Sequence, residues 1–358
     1  MNKIDIYIIK KFLGTFFLAI SLIIVIVIVF DISENIDDLI QSDAPLNEII
    51  FVYYLNFIPY FVNLFSPLFT FIAVIYFTSK MASRSEIVAI LGSGVSFARM
   101  LRPYLITACF LTGLAFYLAN FLIPHTNINL LNFKNTYIKN KYRNDNQNIH
   151  MQIAPGAFVY VESYNVDENK GSRFTIEHFN NGVLYYKMEA KNIVWDSIKQ
   201  KWTINDYSIH LIDGLKEKIL TGAKKDTAIN LTPKDFYKRL DNLDVMNFSQ
   251  LRKFIKDERL KGSENIRFYE MEKHKRLAFP FSTFILTLIA VSVSSRKVRG
   301  GIGIHIAFGM ALTFLYILLM RITETFATYG NLAPVLAAWL PNVLFAGIAL
   351  YMIIKAPK

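Results

Sequence analysis

Six stretches of this chain contain no aspartate, glutamate, lysine or arginine, and each is about as long as a lipid bilayer is thick. They are Phe12–Phe30, Ile50–Ser79, Tyr104–Ile123, Leu277–Ser294, Ile302–Met320 and Val335–Ile354. A hydrocarbon core asks roughly 20 apolar residues of a spanning helix. Six such blocks in 358 residues, 53% of them hydrophobic, exclude an ordinary soluble enzyme. The first block follows Lys3, Lys10 and Lys11 as a signal peptide would. Its apolar core exceeds the roughly 7–15 residues of such a leader, and no small-residue cleavage site follows, so it reads as a retained span. The one cysteine, Cys109, leaves no intramolecular disulfide; inside an apolar block it is expected as a buried, inert thiol.

The charges between the blocks orient them. Lysine and arginine collect on the cytoplasmic side of membrane proteins. Lys3, Lys10 and Lys11 precede the first block, Lys80, Arg84, Arg99 and Arg102 lie between the second and third, and Arg296, Lys297 and Arg299 between the fourth and fifth. Asp31–Glu48 carries six acids and no base, and Lys355 and Lys358 close the chain. The alternation predicts six spans with both termini cytoplasmic. It puts the long insert His125–Arg276, which holds most of the net +11 charge, outside the cytoplasm. The second block is longer than a span needs, and Pro59 and Pro67 interrupt it. An interfacial half-helix running into a kinked span is the expectation.

Inside the insert the hydrophobic period falls to two. Phe158–Val161, Phe174–Ile176, Val183–Tyr186, Ile193–Trp195, Trp202–Ile204, Ile209–Leu211 and Lys218–Leu220 are short β-favouring runs, with turn signals at Asn169–Ser172, Asn180–Gly182 and Asp213-Gly214. Such spacing predicts an antiparallel β-sandwich of jelly-roll type, either with an apolar slot between its sheets or with a closed core. After Pro233 the pattern is helical again, and the charged stretch Glu264–Arg276 runs into the fourth block. The predicted fold is therefore an α-helical membrane protein, three spans plus three, with an inserted β domain. Its parts are residues 1–124 (with a cytoplasmic helix in 82–96), a β domain at 125–246, a helical connection at 247–276 and the last spans at 277–358.

Catalytic motifs are absent: the sequence has no GxxxxGK[ST] loop, HExxH, GxSxG or CxxC. Its histidines, His125, His150, His178, His210, His274 and His305, lack metal-site spacing. The expected role is non-enzymatic, with no bound cofactor and no nucleic acid. One cytoplasmic segment, Ala82–Ser96, is long enough to meet a partner. Ser83-Arg84-Ser85-Glu86 fits a capping box, and Ile87, Ile90 and Leu91 share a helical face. Glu86 thus has two readings, a helix cap or an acid facing a partner's arginine. Arg321 and Glu324, three apart near the end of the fifth block, share a helical face; as ionisable groups near membrane depth they are either functional or a structural pair.

Taken together, these features resemble the lipopolysaccharide export permease family of diderm bacteria, the paired F and G membrane subunits of an ABC transporter. The resemblance rests on the three-span, β-domain, three-span layout and on the segment Ser83–Ser96. The strand Gly156–Glu162 and Asn230-Leu231-Thr232-Pro233 add to it, and these last two look more like the G subunit. It implies a heterodimer with a second permease, a dimeric cytoplasmic ATPase that uses ATP and Mg, and periplasmic bridge proteins that accept lipopolysaccharide. By that resemblance the coupling residues are Arg84, Ser85, Glu86, Ile87 and Ile90, and the lipid-binding candidates are Lys134, Lys139, Arg321 and the β-domain interior position Tyr160. Relatives often carry lysines just after the first span, where this chain has Asp31, Glu34, Asp37 and Asp38; that moves phosphate contacts elsewhere or to the partner subunit. The rival reading is a mechanotransmission or sensor protein in which ATPase motion reaches a periplasmic partner and no lipid passes.

Overall fold

The computed structural model describes residues 3–355 apart from 139–147, 166–167, 198, 228, 230, 237–242, 261, 264 and 296–300. By contacts the chain divides into two units: Met1–Ile138, Asp244–Ser249 and Arg267–Lys358 form one, and Lys139–Leu243 with Gln250–Ile266 form the other.

The first unit holds six helices long and apolar enough to cross a membrane. Helix α1 is Lys3–Gln41. A short α2 (Leu46–Glu48), a π-helical stretch Ile49–Tyr54 and α3 (Leu55–Ser83) follow as one uninterrupted run. Pro59 and Pro67 lie inside α3 without ending it. Neighbouring helices and local π adjustment make interior prolines tolerable here. Next come α4 (Glu86–Gly92) and α5 (Phe97–Tyr117), the latter continued by π residues Leu118–Leu122 and α6 (Ile123–Tyr137). After the second unit the bundle is completed by α9 (Ile266–Ser294), α10 (Gly301–Tyr329) and α11 (Pro334–Ile354).

Burial along α1 takes in Asp5 and then a stripe repeating every four residues, Ile8, Phe12, Phe16, Ile20 and Ile24, while Leu18, Leu22, Val25, Val29 and Phe30 are exposed. A helix apolar on every side is at home in lipid or against another helix, not in water. The most enclosed helix is α9. Its small polar residues close their own hydrogen bonds: Thr287 Oγ1 donates to the Thr283 carbonyl (2.8 Å), Ser292 Oγ to Leu288 (2.8 Å) and Ser294 Oγ to Ala290 (2.6 Å). Hydroxyls that bond back one turn satisfy these three groups inside the core, whereas the buried Thr283 Oγ1 has no hydrogen-bond partner among the described residues. Across helices, Tyr316 of α10 donates to Asn342 Oδ1 of α11 (3.0 Å), whose amide donates to the Ala278 carbonyl of α9 (2.8 Å). Cys109 is exposed on α5 rather than buried, because α5 turns Thr107, Ala108 and Leu111 inward instead.

Close approach of α10 to α3 depends on one missing side chain. A methyl built on Gly309 would stand 2.2 Å from the Phe71 ring and 2.4 Å from Ile75, both fully buried. Small residues at such crossings let helix backbones pack where no hydrophobic drive separates helix from lipid. Gly309→Ala is expected to cost about 1–3 kcal/mol by overpacking. Gly14→Ala, where nothing lies within 4 Å, is its neutral control, both read as thermal unfolding in detergent.

In the second unit, β1 (Ile149–Ala154), β2 (Ala157–Asn165), β3 (Lys170–Asn180), β4 (Val183–Asp196), β5 (Lys201–Asp213) and β6 (Lys216–Thr227) form one antiparallel sheet in sequence order. The inserted β domain is present. Its described strands follow a meander, each pairing with the next, rather than the crossed connections of a jelly roll. Two pairs of short runs fuse: Val183–Tyr186 with Ile193–Trp195 into β4, and Trp202–Ile204 with Ile209–Leu211 into β5. The polar residues that divide these runs in sequence sit at a transverse line of irregular backbone. Arg173 and Asp206 have φ of 46° and 52°, and they lie between paired neighbours on either side. Left-handed residues there bend a strand without ending it. At the β3–β4 turn Asn181 and Gly182 both have positive φ (49° and 81°), as a two-residue hairpin requires.

One face of this sheet is a core of Val159, Val161, Phe174, Ile176, Trp202 and Ile204, covered by Leu231 and by Phe236 of the short helix α7 (Pro233–Phe236). Helix α8 is Phe248–Leu260. Trp202 is fully buried and its indole N–H donates to the Leu231 carbonyl at 2.7 Å. Trp202→Ala should destabilise this unit by about 3–5 kcal/mol, seen as faster hydrogen exchange in β4–β6; Trp202→Phe should cost less, losing mainly the bond to Leu231.

Candidate functional site

Charged and polar side chains gather at the two ends of the helical unit. At the end bearing the α3–α5 connection, α3 stays helical through Ser83, leaving only Arg84 and Ser85 between it and α4. Ser83 Oγ therefore donates back to the Lys80 carbonyl (2.9 Å). Ser85, with φ 62°, occupies the N-cap position and makes no side-chain cap bond. The expected capping box is thus not formed: Ser83 is the last residue of the preceding helix and its hydroxyl is turned back onto that helix. Glu86 is held from elsewhere. Its Oε2 accepts from the Tyr7 hydroxyl of α1 (3.1 Å), and its Oε1 lies 4.0 Å from Arg84.

The predicted coupling residues divide by face. Arg84 and Ser85 are exposed and Glu86 is half-buried, whereas Ile87 is buried and Ile90 partly so, packed on the bundle core. Val88 is 64% exposed. Hence α4 is pinned by its isoleucines and presents Arg84, Ser85, Glu86 and Val88 outward. A second polar contact lies beside it: Arg99 donates through Nη1 and Nη2 to both carboxylate oxygens of Asp5, each at 2.8 Å, and Asp5 is 6% exposed. Two-pronged, charge-assisted pairs of this kind are short and directional. Asp5 and Tyr7 escaped the sequence reading, although an acid amid Lys3, Lys10 and Lys11 was a visible signal.

At the opposite end, α9 and α10 carry an alternating chain of charges. Arg321 Nη1 bonds Glu324 Oε2 (3.1 Å), and Lys275 Nζ bonds Glu324 Oε1 (3.1 Å) and lies 3.5 Å from Glu272. Arg276 Nε bonds Glu272 Oε1 (3.0 Å), and its Nη1 donates to the Met246 carbonyl (2.6 Å). Arg321 and Glu324 do pair as their spacing predicted. Lys275, Glu272 and Arg276 join them only because α9 packs beside α10. Three cations face two carboxylates in this chain, and the Arg321 side chain at its end is 65% exposed. The chain rims a cavity of about 320 Å³ whose wall includes Leu64, Phe65, Leu68, Phe279, Ile317 and Met320. Asp244 also lines the cavity, so three cations stand there with three carboxylates; the exposed Arg321 guanidinium above an apolar wall is what this rim offers an anionic amphiphile.

The other predicted lipid contacts are placed apart from this rim. Lys134 of α6 has its ammonium 5.8 Å from the centroid of the Tyr53 ring, and Tyr53 donates to Asp31 Oδ1 (3.3 Å), so a carboxylate stands close to that cation. Tyr160 lies on the face of β2 opposite buried Val159 and Val161, donating to Asn148 Oδ1 (2.7 Å) beside His150; alternation puts it outside the packed interior. Lys139 lies outside the described residues. Among the described residues no group of three metal-binding side chains comes together.

The lipopolysaccharide export system permease LptF/LptG family matches residues 6–355 of this chain. The chain belongs to that family. Among curated proteins it is similar to the lipopolysaccharide export system permease protein LptG of Escherichia coli, 22% identical over 309 residues, which cover 85% of each protein. The family match spans both ends of the helical unit and the β domain, so it includes α4 and the charged rim of this permease. If Glu324 is the shared acceptor that holds the rim together, Glu324→Gln should cost about 1–3 kcal/mol. Arg321→Gln, at the exposed end, should cost less than about 1 kcal/mol. Thermal unfolding in detergent separates the two.

Proposed function

We propose that this permease is a transmembrane subunit of an ATP-driven exporter that lifts lipopolysaccharide out of the inner membrane and passes it to a periplasmic bridge. It works as a heterodimer with a second permease. A dimeric ATPase on the cytoplasmic side binds ATP and Mg, and this chain performs no covalent chemistry of its own. The positive-inside distribution of Lys3, Lys10, Lys11, Lys80, Arg84 and Arg99 supports placing α4 and both termini in the cytoplasm, with the β domain in the periplasm.

The observation that carries this reading is the cavity under the charged rim. Lipopolysaccharide combines several acyl chains with phosphates, and its lower half matches Leu64, Phe65, Leu68 and Met320. A phosphate reaching Arg321 competes with Glu324 for the guanidinium. Glu324 does not lose its partner in that exchange, because Lys275 already holds its other oxygen. The rim can therefore accept an anion without leaving a carboxylate unpaired, which lowers the cost of taking up the cargo. Lys134 is a weaker phosphate contact, with Asp31 and Tyr53 close by. At the other end, Glu86 uses one oxygen on Tyr7 and leaves lone pairs open to a cation on the ATPase.

A photocrosslinker in place of Ile317, in the complex with the second permease and the ATPase, tests the cargo. Adducts with lipopolysaccharide that fall when ATP is added are the expected result; adducts with protein alone would favour the sensor reading. Glu86→Arg should lower ATP-driven export about tenfold or more, the factor of one lost charge-assisted contact, while the crosslink at Ile317 without ATP stays. Undiminished export in that variant removes Glu86 from the coupling role.

A further inference from the structure

The polar contacts around α4 reach an element that the proposed function does not use for coupling. Along most of its buried face α1 meets its neighbours α3 and α5 through the stripe from Ile8 to Ile24. Apolar contacts of that kind are non-directional and let one helix slide or roll against another. The first turns of α1 are held differently. Asp5 accepts both prongs of Arg99, the residue three beyond the Ser96 N-cap of α5. Tyr7 donates to Glu86, the first residue of α4. Ile4, Asp5 and Ile8 also line a crevice with Ile90 and Val95 of the α3–α5 connection.

We propose that Asp5 and Tyr7 latch the start of α1 to the α4 segment, so that a displacement of α4 is delivered to α1 directly. The proposal rests on reading α4 as the surface that receives the ATPase's motion. Asp5 and Tyr7 are positioning residues; neither touches cargo. Their bonds are directional, one two-pronged and one single, and together they bracket α4 from both of its flanks, at Glu86 and at Arg99. A push on α4 that left α1 behind would have to break the Tyr7–Glu86 bond and shear a buried ion pair. Between Ile8 and Ile24 rolling α1 over its apolar stripe breaks no polar contact to a neighbouring helix; the next such contact is at its far end, where Asp31 accepts from Tyr53. Motion is thereby steered into α1, the helix with the least buried apolar window of the six. The surroundings of the latch are cationic: Lys11 stands 5.6 Å over the Tyr7 ring and Arg84 4.0 Å from Glu86. A second cation arriving on Glu86 from a partner therefore meets a carboxylate that is already oriented.

The test measures lipopolysaccharide released per ATP hydrolysed by the full complex in proteoliposomes. The double variant Asp5→Asn with Tyr7→Phe should retain ATP hydrolysis and lower that ratio about tenfold. Exchanging the charges, Asp5→Arg with Arg99→Asp and Tyr7 intact, should recover most of it, which a merely destabilising change would not do. A ratio equal to that of the unaltered complex in the double variant overturns the latch. Spin labels on Leu18→Cys and Val88→Cys in the full chain, with Cys109→Ser, give a second readout that needs no ATPase. The distance distribution should broaden in the double variant, and an unchanged distribution also overturns the proposal. Failure of the underlying functional reading is distinct: it shows as an unaltered chain that retains no ATPase, and the spin labels still decide whether α1 and α4 move as one body.

Discussion

Inside hydrocarbon there is no water to solvate a charge, and that exclusion shapes everything else in this permease. Six helices can cross only if their middle portions carry no ionised side chain. The charged groups are consequently pressed to the two ends of the bundle, where they meet one another. At one end they become Asp5–Arg99 and Tyr7–Glu86–Arg84. At the other they become the alternating chain from Arg321 to Arg276. The charged groups gather at the ends because the middle cannot hold them.

In the function proposed above the middle transmits movement between those ends, and its construction suits that task. The hydroxyls of Thr287, Ser292 and Ser294 bond back within α9, so these three groups add no polar ties to its neighbours. Gly309 brings α10 against Phe71 and Ile75 of α3, making a tight pair, while Asn342 joins α9, α10 and α11 by hydrogen bonds. Helix α1 has neither device along its stripe. A rigid core with one loosely seated helix is a body in which a push at α4 can produce relative motion rather than uniform displacement.

Much of this was legible in the residues. The uncharged blocks announced six spans, the period-two runs announced strands, and the three-residue spacing of Arg321 and Glu324 announced their pairing, because each is a local consequence of helix or strand geometry. Other features were misread for equally local reasons. Ser83-Arg84-Ser85-Glu86 has the letters of a capping box, but α3 runs on through Ser83 and removes it from the start of α4. Tyr160 was read as an interior position, whereas alternation with Val159 and Val161 turns it to the other face. The short runs that make up β4 and β5 read as separate strands and are each continuous, and in β5 Asp206 takes a left-handed backbone without leaving the sheet.

The sequence by itself determined that this chain is a membrane bundle with an inserted β domain, because length without charge and the period of hydrophobicity are properties of neighbouring residues. Only the tertiary structure decided which charges become partners. Asp5 and Arg99 are 94 residues apart, and Lys275 and Glu324 are 49 apart. No spacing rule links such residues, and they meet because the apolar faces between them choose how the helices pack.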